Sequence, residues 1–95
     1  MASGRAGPGK ARRIVLAPSA LEDLEHWVST DRSIALKALK LIEAARRDPF
    51  SGAGKPEPLK HLGPDIWSRR ITKADRLVYR VTTETIDILQ ARYHY

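Results

Sequence analysis

The sequence contains no cysteine among its 95 residues. This absence excludes disulfides, thiolate catalysis and cysteine-based zinc sites, and it suits a reducing cytosol. Long apolar runs are also missing, because none approaches the ~20 residues that a membrane-spanning helix needs. The first residues carry positive charge without an apolar segment, unlike a secretory signal. We therefore expect a single small domain in the cytoplasm, away from the membrane.

Several catalytic motifs are incomplete or missing as well. The stretch GAGK at 52–55 is not a phosphate-binding loop, because Pro49 replaces the earlier glycine and Pro56 replaces the Ser or Thr after the lysine. The three histidines have no close ligand spacing, so we expect no metal site. No Gly-x-Ser-x-Gly occurs, which removes the usual support for serine hydrolysis. No cofactor is expected on these grounds.

Positive charge is what the chain has in excess. Lysine and arginine number 17 against 11 aspartate and glutamate, which gives a net charge of +6 and a pI of about 10.1. Such an excess on a small domain indicates a polyanionic partner, and nucleic acid is the usual one. On charge alone, a protein that is basic without such a partner remains the alternative.

The order of periodic segments predicts an α+β domain. Residues 1–11 are rich in Gly, Ala and Pro and predict a disordered extension, so the folded domain should span 12–95. A short β-branched run predicts a first strand, and two amphipathic helices follow it. Ser19 and Glu22 predict a capping box for the first helix, and Asp31 predicts an N-cap for the second.

Beyond residue 56 the apolar period changes from that of helices to that of strands. LKHL is interpreted as a short strand, and IWSRRIT, RLVYRVT and TIDILQARY predict three more. Only short turns separate the last three, which favours an antiparallel meander. The predicted architecture is one strand, two helices and this meander, with the helices covering one face of the sheet.

Alternation assigns the side chains to the two faces of this sheet. Arg70 and Arg76 fall on the face opposite the helices, whereas Arg69 shares the covered face with apolar residues. In the last strand His94 falls on the side of Arg70 and Arg76. Tyr93 then points toward the helices, so its ring should anchor the chain end. The two isoleucines of TIDI fall on the uncovered side, which blurs the pattern.

A carboxylate, a histidine and several cations remain as a candidate site. The set comprises Glu57, Lys60, Arg70, Arg76, His94 and Tyr95. RNA supplies its own nucleophile, the 2′-hydroxyl, so its cleavage needs only a base, an acid and cations that stabilise the phosphorane. These residue types therefore fit metal-independent cleavage of RNA. On composition and spacing alone, an ordinary basic surface with a salt-bridged Glu57 is the alternative.

Four segments carry a family resemblance: GAGKPEPLKH, WSRRIT, DRLVYRV and the terminal RYHY. In order and spacing they resemble the YoeB (Txe/YoeB) toxins of the RelE superfamily, from about residue 14 to residue 95. The resemblance implies a small sheet with two helices on one face, a RelE-like fold. It also implies the toxin of a bacterial type II toxin–antitoxin system. Such toxins are ribosome-dependent endoribonucleases that cleave messenger RNA in the ribosomal A site and inhibit translation.

The resemblance also implies a role for each matching residue. Glu57 is the expected general base, Arg76 the phosphate-binding arginine, and His94 the general acid in a terminal pair with Tyr95. The cations expected to bind RNA or its phosphates are Lys55, Lys60, Arg69, Arg70 and Arg92. Asp75 departs from the family, since a histidine often stands there.

Partners follow from the same resemblance. A YefM-type antitoxin should neutralise the toxin, the ribosome and messenger RNA should be its targets, and operator DNA should be reached only through the antitoxin. A homodimer is favoured. The alternative function is a non-catalytic module that inhibits translation or represses its own operon. Glu57 together with His94 favours catalysis, because a module that only binds needs neither.

Overall fold

The computed structural model describes residues 12–93, which form two helices and a five-stranded sheet; the extension predicted at 1–11 lies outside them. In chain order the elements are β1 (Arg13–Leu16), α1 (Pro18–Thr30), α2 (Arg32–Arg47), β2 (Glu57–Pro58), β3 (Ile66–Arg70), β4 (Arg76–Val81) and β5 (Thr85–Gln90). The sheet order is β1-β5-β4-β3-β2, with β1 parallel to β5 and the other neighbours antiparallel. The α+β class, the paired helices and the meander are confirmed.

The two helices begin in different ways. α1 begins at Pro18, whose fixed φ suits the first helical position. The capping box predicted at Ser19 is wrong, because this residue already lies inside the helix and its hydroxyl donates to the Leu89 carbonyl at 2.7 Å. The cap predicted for α2 is confirmed, since the Asp31 carboxylate accepts from the Ser33 amide at 3.1 Å.

Both helices pack on one face of the sheet and enclose the main core. The core residues are Ala20, Leu24, Ala38, Leu41, Ile42, Ala45, Ile71, Leu77, Tyr79, Val81, Ile86, Ile88 and Ala91. Burial of this apolar surface is the main force that holds the helices on the sheet. A smaller cluster consists of Leu59, Ile66, Val78 and Leu89. Within residues 12–93, neither helix is long and apolar enough to span a bilayer.

A bulge in β5 corrects the predicted alternation. The β4–β5 register shifts between Val78 and Tyr79, and one residue of β5, Leu89, is left without a partner in β4. An extra residue reverses the alternation beyond it. The predicted placement of two isoleucines on the uncovered face is therefore wrong. The residues that this reversal brings together in the helix-side core are Ile86, Ile88 and Ala91.

The segment LKHL is a short turn of 3-10 helix and not the predicted strand. Leu59 is buried in the smaller cluster, and Lys60–Leu62 form the turn. Gly63, with a φ of +132°, allows the chain to leave this turn toward β3. The strand lies just before, at Glu57–Pro58, on the outer edge of the sheet. Proline is tolerated there because no further strand needs its missing N–H.

Candidate active site

Strand register brings Glu57 and Arg76 together on the face opposite the helices. Glu57 in β2 pairs with Ser68 in β3, and Arg76 in β4 pairs with Arg70 at the end of β3. Oε2 of Glu57 lies 3.9 Å from a terminal guanidinium nitrogen of Arg76. The glutamate side chain is 53% exposed and the arginine side chain only 12%. A carboxylate open to solvent therefore lies beside a largely enclosed cation.

Ser68 orients the guanidinium of Arg76. Its hydroxyl accepts a hydrogen bond from the same terminal nitrogen at 3.1 Å, and the serine itself is fully buried. A donor held in this way loses little freedom when it meets a phosphate, as electrostatic catalysis requires. Alternation assigns Ser68 to this face of the sheet, but only the tertiary contact shows what it does there.

The end of the described chain lies beside the backbone of Arg76. The Arg76 amide donates to the Tyr93 carbonyl at 3.1 Å, and the Tyr93 amide donates to Oδ1 of Asp75 at 2.7 Å. The Gln90 side-chain amide also donates to the Tyr93 carbonyl, at 3.3 Å. Tyr93 has a φ of +67°, a left-handed conformation that is uncommon for a non-glycine residue. These hydrogen bonds fix the last described residue next to Arg76.

Helix α1 holds the chain two residues earlier, at Ala91. Oδ2 of Asp23 accepts from the Ala91 amide at 2.9 Å, and Nε1 of Trp27 donates to the Ala91 carbonyl at 2.8 Å. The prediction that the Tyr93 ring anchors the chain end is wrong, because this residue is 59% exposed. β5 ends at Gln90, so strand alternation no longer applies to the tyrosine. The buried backbone of Ala91 is the anchor instead.

The remaining predicted cations lie in different surroundings. Lys55 precedes β2, Lys60 follows it in the short turn, and Arg70 ends β3; all three are exposed. Arg92 is half-buried, and its guanidinium carbon lies 4.5 Å from the centre of the neighbouring tyrosine ring. The predicted site residues outside the described part of the chain are His94 and Tyr95.

Arg69 belongs to the core and not to an RNA-binding surface, which corrects the prediction. Its side chain is fully buried, and its Nε donates to the Tyr79 hydroxyl at 2.9 Å. Burial raises the pKa of Tyr79, so the phenol keeps its proton and donates to the Pro49 carbonyl at 2.7 Å. The guanidinium also donates, at 2.6 to 2.9 Å, to the carbonyls of Asp48, Ser51 and Ala53. A guanidinium enclosed in this way cannot reach an RNA phosphate.

The described part of the site can perform two chemical tasks. An exposed carboxylate can remove a proton, and a preorganised guanidinium can stabilise the negative charge of a phosphorane. Among residues 12–93, no three His, Asp or Glu side chains converge on a point that could hold a metal ion. The hydrogen bond between the Arg76 amide and the Tyr93 carbonyl brings the end of the described chain to the same place.

Sequence comparison identifies the family. A model of the YoeB-like toxins of bacterial type II toxin–antitoxin systems matches residues 16–95. The chain belongs to the YoeB toxin family. Toxin YoeB of Escherichia coli is 46% identical to it over 83 residues, which cover 87% of this chain and 99% of that protein. The resemblance inferred from the four segments is therefore confirmed, and the chain is a toxin of a toxin–antitoxin system.

Solved YoeB structures share the fold. A YoeB dimer from Staphylococcus aureus superimposes with a TM-score of 0.82 at 35% identity, covering 90% of this chain and 99% of that one. The YoeB chain of a heterotetrameric YoeB–YefM toxin–antitoxin complex from the same species gives 0.77 at 36% identity, covering 88% and 98%. The fold predicted from the resemblance is confirmed.

The structure assigns a role to Asp75, which the sequence marks only as a departure from the family. One oxygen accepts from the Tyr93 amide, and the other accepts from the Thr72 hydroxyl at 2.8 Å. The threonine hydroxyl accepts in turn from the Asp75 amide at 3.0 Å. A Thr-x-x-Asp spacing between two strands is typical of turns closed by side chains. That spacing predicts the turn, but it does not predict the contact with the chain end.

Proposed function

We propose that this YoeB toxin is a ribosome-dependent endoribonuclease that cleaves messenger RNA in the A site and thereby inhibits translation. The observation that supports it is the exposed Glu57 held beside the enclosed Arg76 at an anchored chain end. His94 and Tyr95 follow that anchor directly in the sequence and are proposed to complete the site. The cations proposed to bind the RNA backbone are Lys55, Lys60, Arg70 and Arg92.

The proposed chemistry is transesterification within the RNA. The Glu57 carboxylate takes the proton of the 2′-hydroxyl, and the 2′-oxygen forms a bond to phosphorus. Arg76 stabilises the charge of the phosphorane. The bond to the 5′-oxygen then breaks, and this oxygen takes a proton from the imidazolium of His94. The products are a 2′,3′-cyclic phosphate and a 5′-hydroxyl, and no step needs a metal ion.

The proposed partners follow from solved relatives. A YoeB–YefM complex supports a YefM-type antitoxin, and a YoeB dimer supports a homodimer. The ribosome and its messenger RNA are the proposed targets, and the bacterial cytoplasm is the proposed place of action. Contact with operator DNA is proposed to occur only through the antitoxin.

Primer extension on a translated message tests the proposal. Loss of one preorganised donor typically lowers the rate about 10²–10³-fold, so Arg76→Ala should be nearly inactive. Arg76→Lys should recover only part of the rate, because it keeps the charge but loses the planar fork. Arg80→Ala, which removes an exposed arginine from the same strand, is the matched control and should cleave normally. Wild-type cleavage by Arg76→Ala would refute the site.

Two further variants separate catalysis from simple binding. Glu57→Gln keeps the shape of the side chain but removes the base, and deletion of residues 94–95 removes the proposed acid. Both should lose cleavage. A message whose 2′-hydroxyl at the cut site is replaced by hydrogen should resist the wild-type toxin. Inhibition of translation by Glu57→Gln at full strength, without new RNA ends, would instead support the non-catalytic inhibitor.

A further inference from the structure

A basic pocket of about 420 Å³ lies between α2 and the loop that leads into β2. Leu41, which is buried, and Ala53, which is exposed, supply apolar surface inside it. Around this surface are four basic residues, all of them exposed: Lys37, Lys40, Lys55 and Arg70. Two of the four, Lys37 and Lys40, belong to α2 and have no role in the proposed chemistry.

The wall of this pocket is built into the fold. Gly54 has a φ of +84°, and a Cβ at this position would lie 3.0 Å from a Leu41 methyl carbon and from the Arg69 Cβ. The glycine thus allows the loop to approach α2 and β3 closely. The Gly54 carbonyl accepts from the Arg70 amide at 2.7 Å. The buried guanidinium of Arg69 donates to the carbonyls of Ala53 and Ser51, which precede this glycine. The loop is therefore tied to the sheet at the pocket.

The pocket carries charge of one sign. Among the residues that the structure describes, no carboxylate lines it. Within residues 12–93, the ion pairs join Glu43 to Arg46 and Arg47 and join Glu57 to Arg76, and none of these pairs includes a pocket cation. Lys37 and Lys40 lie three positions apart on α2, which places them on neighbouring parts of one helix face. Like charges around one concavity create a positive potential that attracts an anion.

Arg70 connects the pocket with the candidate active site. It lines the pocket, and its Cα partner across the β3–β4 ladder is Arg76. We propose that the pocket binds the RNA strand next to the scissile phosphate, with Lys37 and Lys40 on backbone phosphates and a base against Leu41. This inference rests on the proposed function, because it extends the path of the same RNA strand from Arg76 to α2.

Single-stranded RNA matches the chemistry of the pocket. It presents one phosphate per nucleotide together with apolar base faces, and cations around apolar surface are the usual features of a single-strand site. An acidic protein segment is the competing occupant. RNA is favoured because Arg70 both lines the pocket and pairs with Arg76 across the β3–β4 ladder, so one basic residue joins the pocket to the candidate active site.

Binding of a short 2′-O-methyl RNA oligonucleotide across a salt series tests this inference without any cleavage step. Each phosphate contact on a single strand contributes about 0.7 to the slope of log affinity against log salt. The double variant Lys37→Ala/Lys40→Ala should therefore flatten the slope by about 1.4. A dinucleotide of the same chemistry spans only the cut site, so the variant should bind it as the wild type does.

The matched control is Arg13→Ala/Arg32→Ala, which removes the same charge from exposed positions on the far edge strand and the start of α2. The inference is overturned if the lysine pair changes the slope no more than this control does. It is also overturned if the lysine variant binds RNA normally but loses affinity for the antitoxin, which would assign the pocket to an acidic protein. Because no chemistry is measured, binding can succeed even if the proposed cleavage fails.

Discussion

Asp75 connects the turn before β4 with the chain end. Its carboxylate accepts from the Thr72 hydroxyl on one side and from the Tyr93 amide on the other. The next residue, Arg76, donates its amide to the Tyr93 carbonyl. A single residue thus couples Arg76 to the segment that leads into His94. We propose that Asp75 is a positioning residue that acts through the backbone of Tyr93.

Replacing Asp75 should therefore impair cleavage while the domain stays folded. Misplacement of a catalytic group by about 1 Å can cost about 10²-fold in rate, and Asp75→Ala should lose activity on that order. Asp75→Asn keeps an acceptor oxygen and should recover part of it. Glu84→Ala, in an exposed turn, is the charge-matched control. Carboxypeptidase should release Tyr95 faster from Asp75→Ala, and an unchanged release rate would contradict the anchoring role.

Arg69 and Arg70 are neighbours in sequence with opposite environments. Arg69→Ala leaves the carbonyls of the loop and the Tyr79 hydroxyl without their donor, and each buried unsatisfied group costs about 1–3 kcal/mol. We expect its free energy of unfolding to fall by about 3 kcal/mol or more. Arg70→Ala should change it by less than about 0.5 kcal/mol, since this side chain is exposed. Urea denaturation measures both, and equal losses would disprove the distinction.

The loop between α2 and β2 has no regular secondary structure, yet side-chain hydrogen bonds tie its backbone to the fold. Buried Arg69 binds its carbonyls, and the Asp48 carboxylate accepts from the Ser51 hydroxyl at 2.6 Å. That hydrogen bond is the main reason why the pKa of Asp48 lies below its usual value. The loop carries Lys55 and forms one wall of the basic pocket.

Two glycines in this loop should respond differently to alanine. Both glycines have a positive φ that opposes a Cβ, +84° at Gly54 and +108° at Gly52, but a Cβ at Gly54 would also make two contacts at 3.0 Å, whereas at Gly52 the nearest atom is a terminal nitrogen of Arg69 at 3.6 Å. Strained backbone of this kind costs about 1–3 kcal/mol. Gly54→Ala should lower the thermal stability of the domain more than Gly52→Ala does, as measured by thermal unfolding. Gly54→Ala should also weaken RNA binding. A larger loss of stability in Gly52→Ala than in Gly54→Ala would contradict this account of the two glycines.

The start of α2 should make stability depend on pH. The Ser33 hydroxyl donates a hydrogen bond to the Asp31 carboxylate. This hydrogen bond and the one from the Ile34 amide lower the pKa of Asp31 below the usual 3.8. A carboxyl group whose pKa is lower in the folded state than in the unfolded state stabilises the native state at pH values above the unfolded-state pKa. This stabilisation is lost as the pH falls through the folded-state pKa. The Tm difference between wild type and Asp31→Ala should therefore be constant near neutral pH and shrink below 3.8. A constant difference down to acid pH would contradict a charged cap.

At the scale of the whole molecule, the net charge of +6 should govern association with the antitoxin. Opposite charges on two partners accelerate encounter, and salt screens this effect. The on-rate of a YefM-type antitoxin should therefore fall as ionic strength rises, while the off-rate should change less. Stopped-flow mixing across a salt series measures both rates. An on-rate independent of salt would indicate an interface dominated by apolar contacts.

The site was predictable from sequence to different degrees. Alternation placed Arg76 and Arg70 on one face, and the family motif pointed to Glu57, whose proximity to Arg76 the structure then shows. Alternation placed Arg69 correctly on the covered face, but the prediction that it binds RNA was wrong, because alternation does not reveal whether a charged side chain finds acceptors beneath a loop. Alternation failed for Tyr93, because it loses its meaning once a strand has ended.

Short-range pattern by itself determined the two helices and strands β3 and β4 of this protein. The helical period, the Asp31 cap, the stop before Pro49 and the alternation in β3 and β4 all depend on residues close together in the chain. Such interactions are encoded locally, so a sequence reveals them directly.

Three features were decided only by the tertiary structure. They are the β5 residue Leu89 that has no partner in β4, the hydrogen bonds from Arg69 to the loop carbonyls and the anchoring of Ala91. Each depends on partners that are distant in sequence: Trp27 and Ala91 are 64 residues apart. Whether such groups meet depends on how the helices and the sheet pack, because a buried polar group is stable only where the assembled fold supplies its partner.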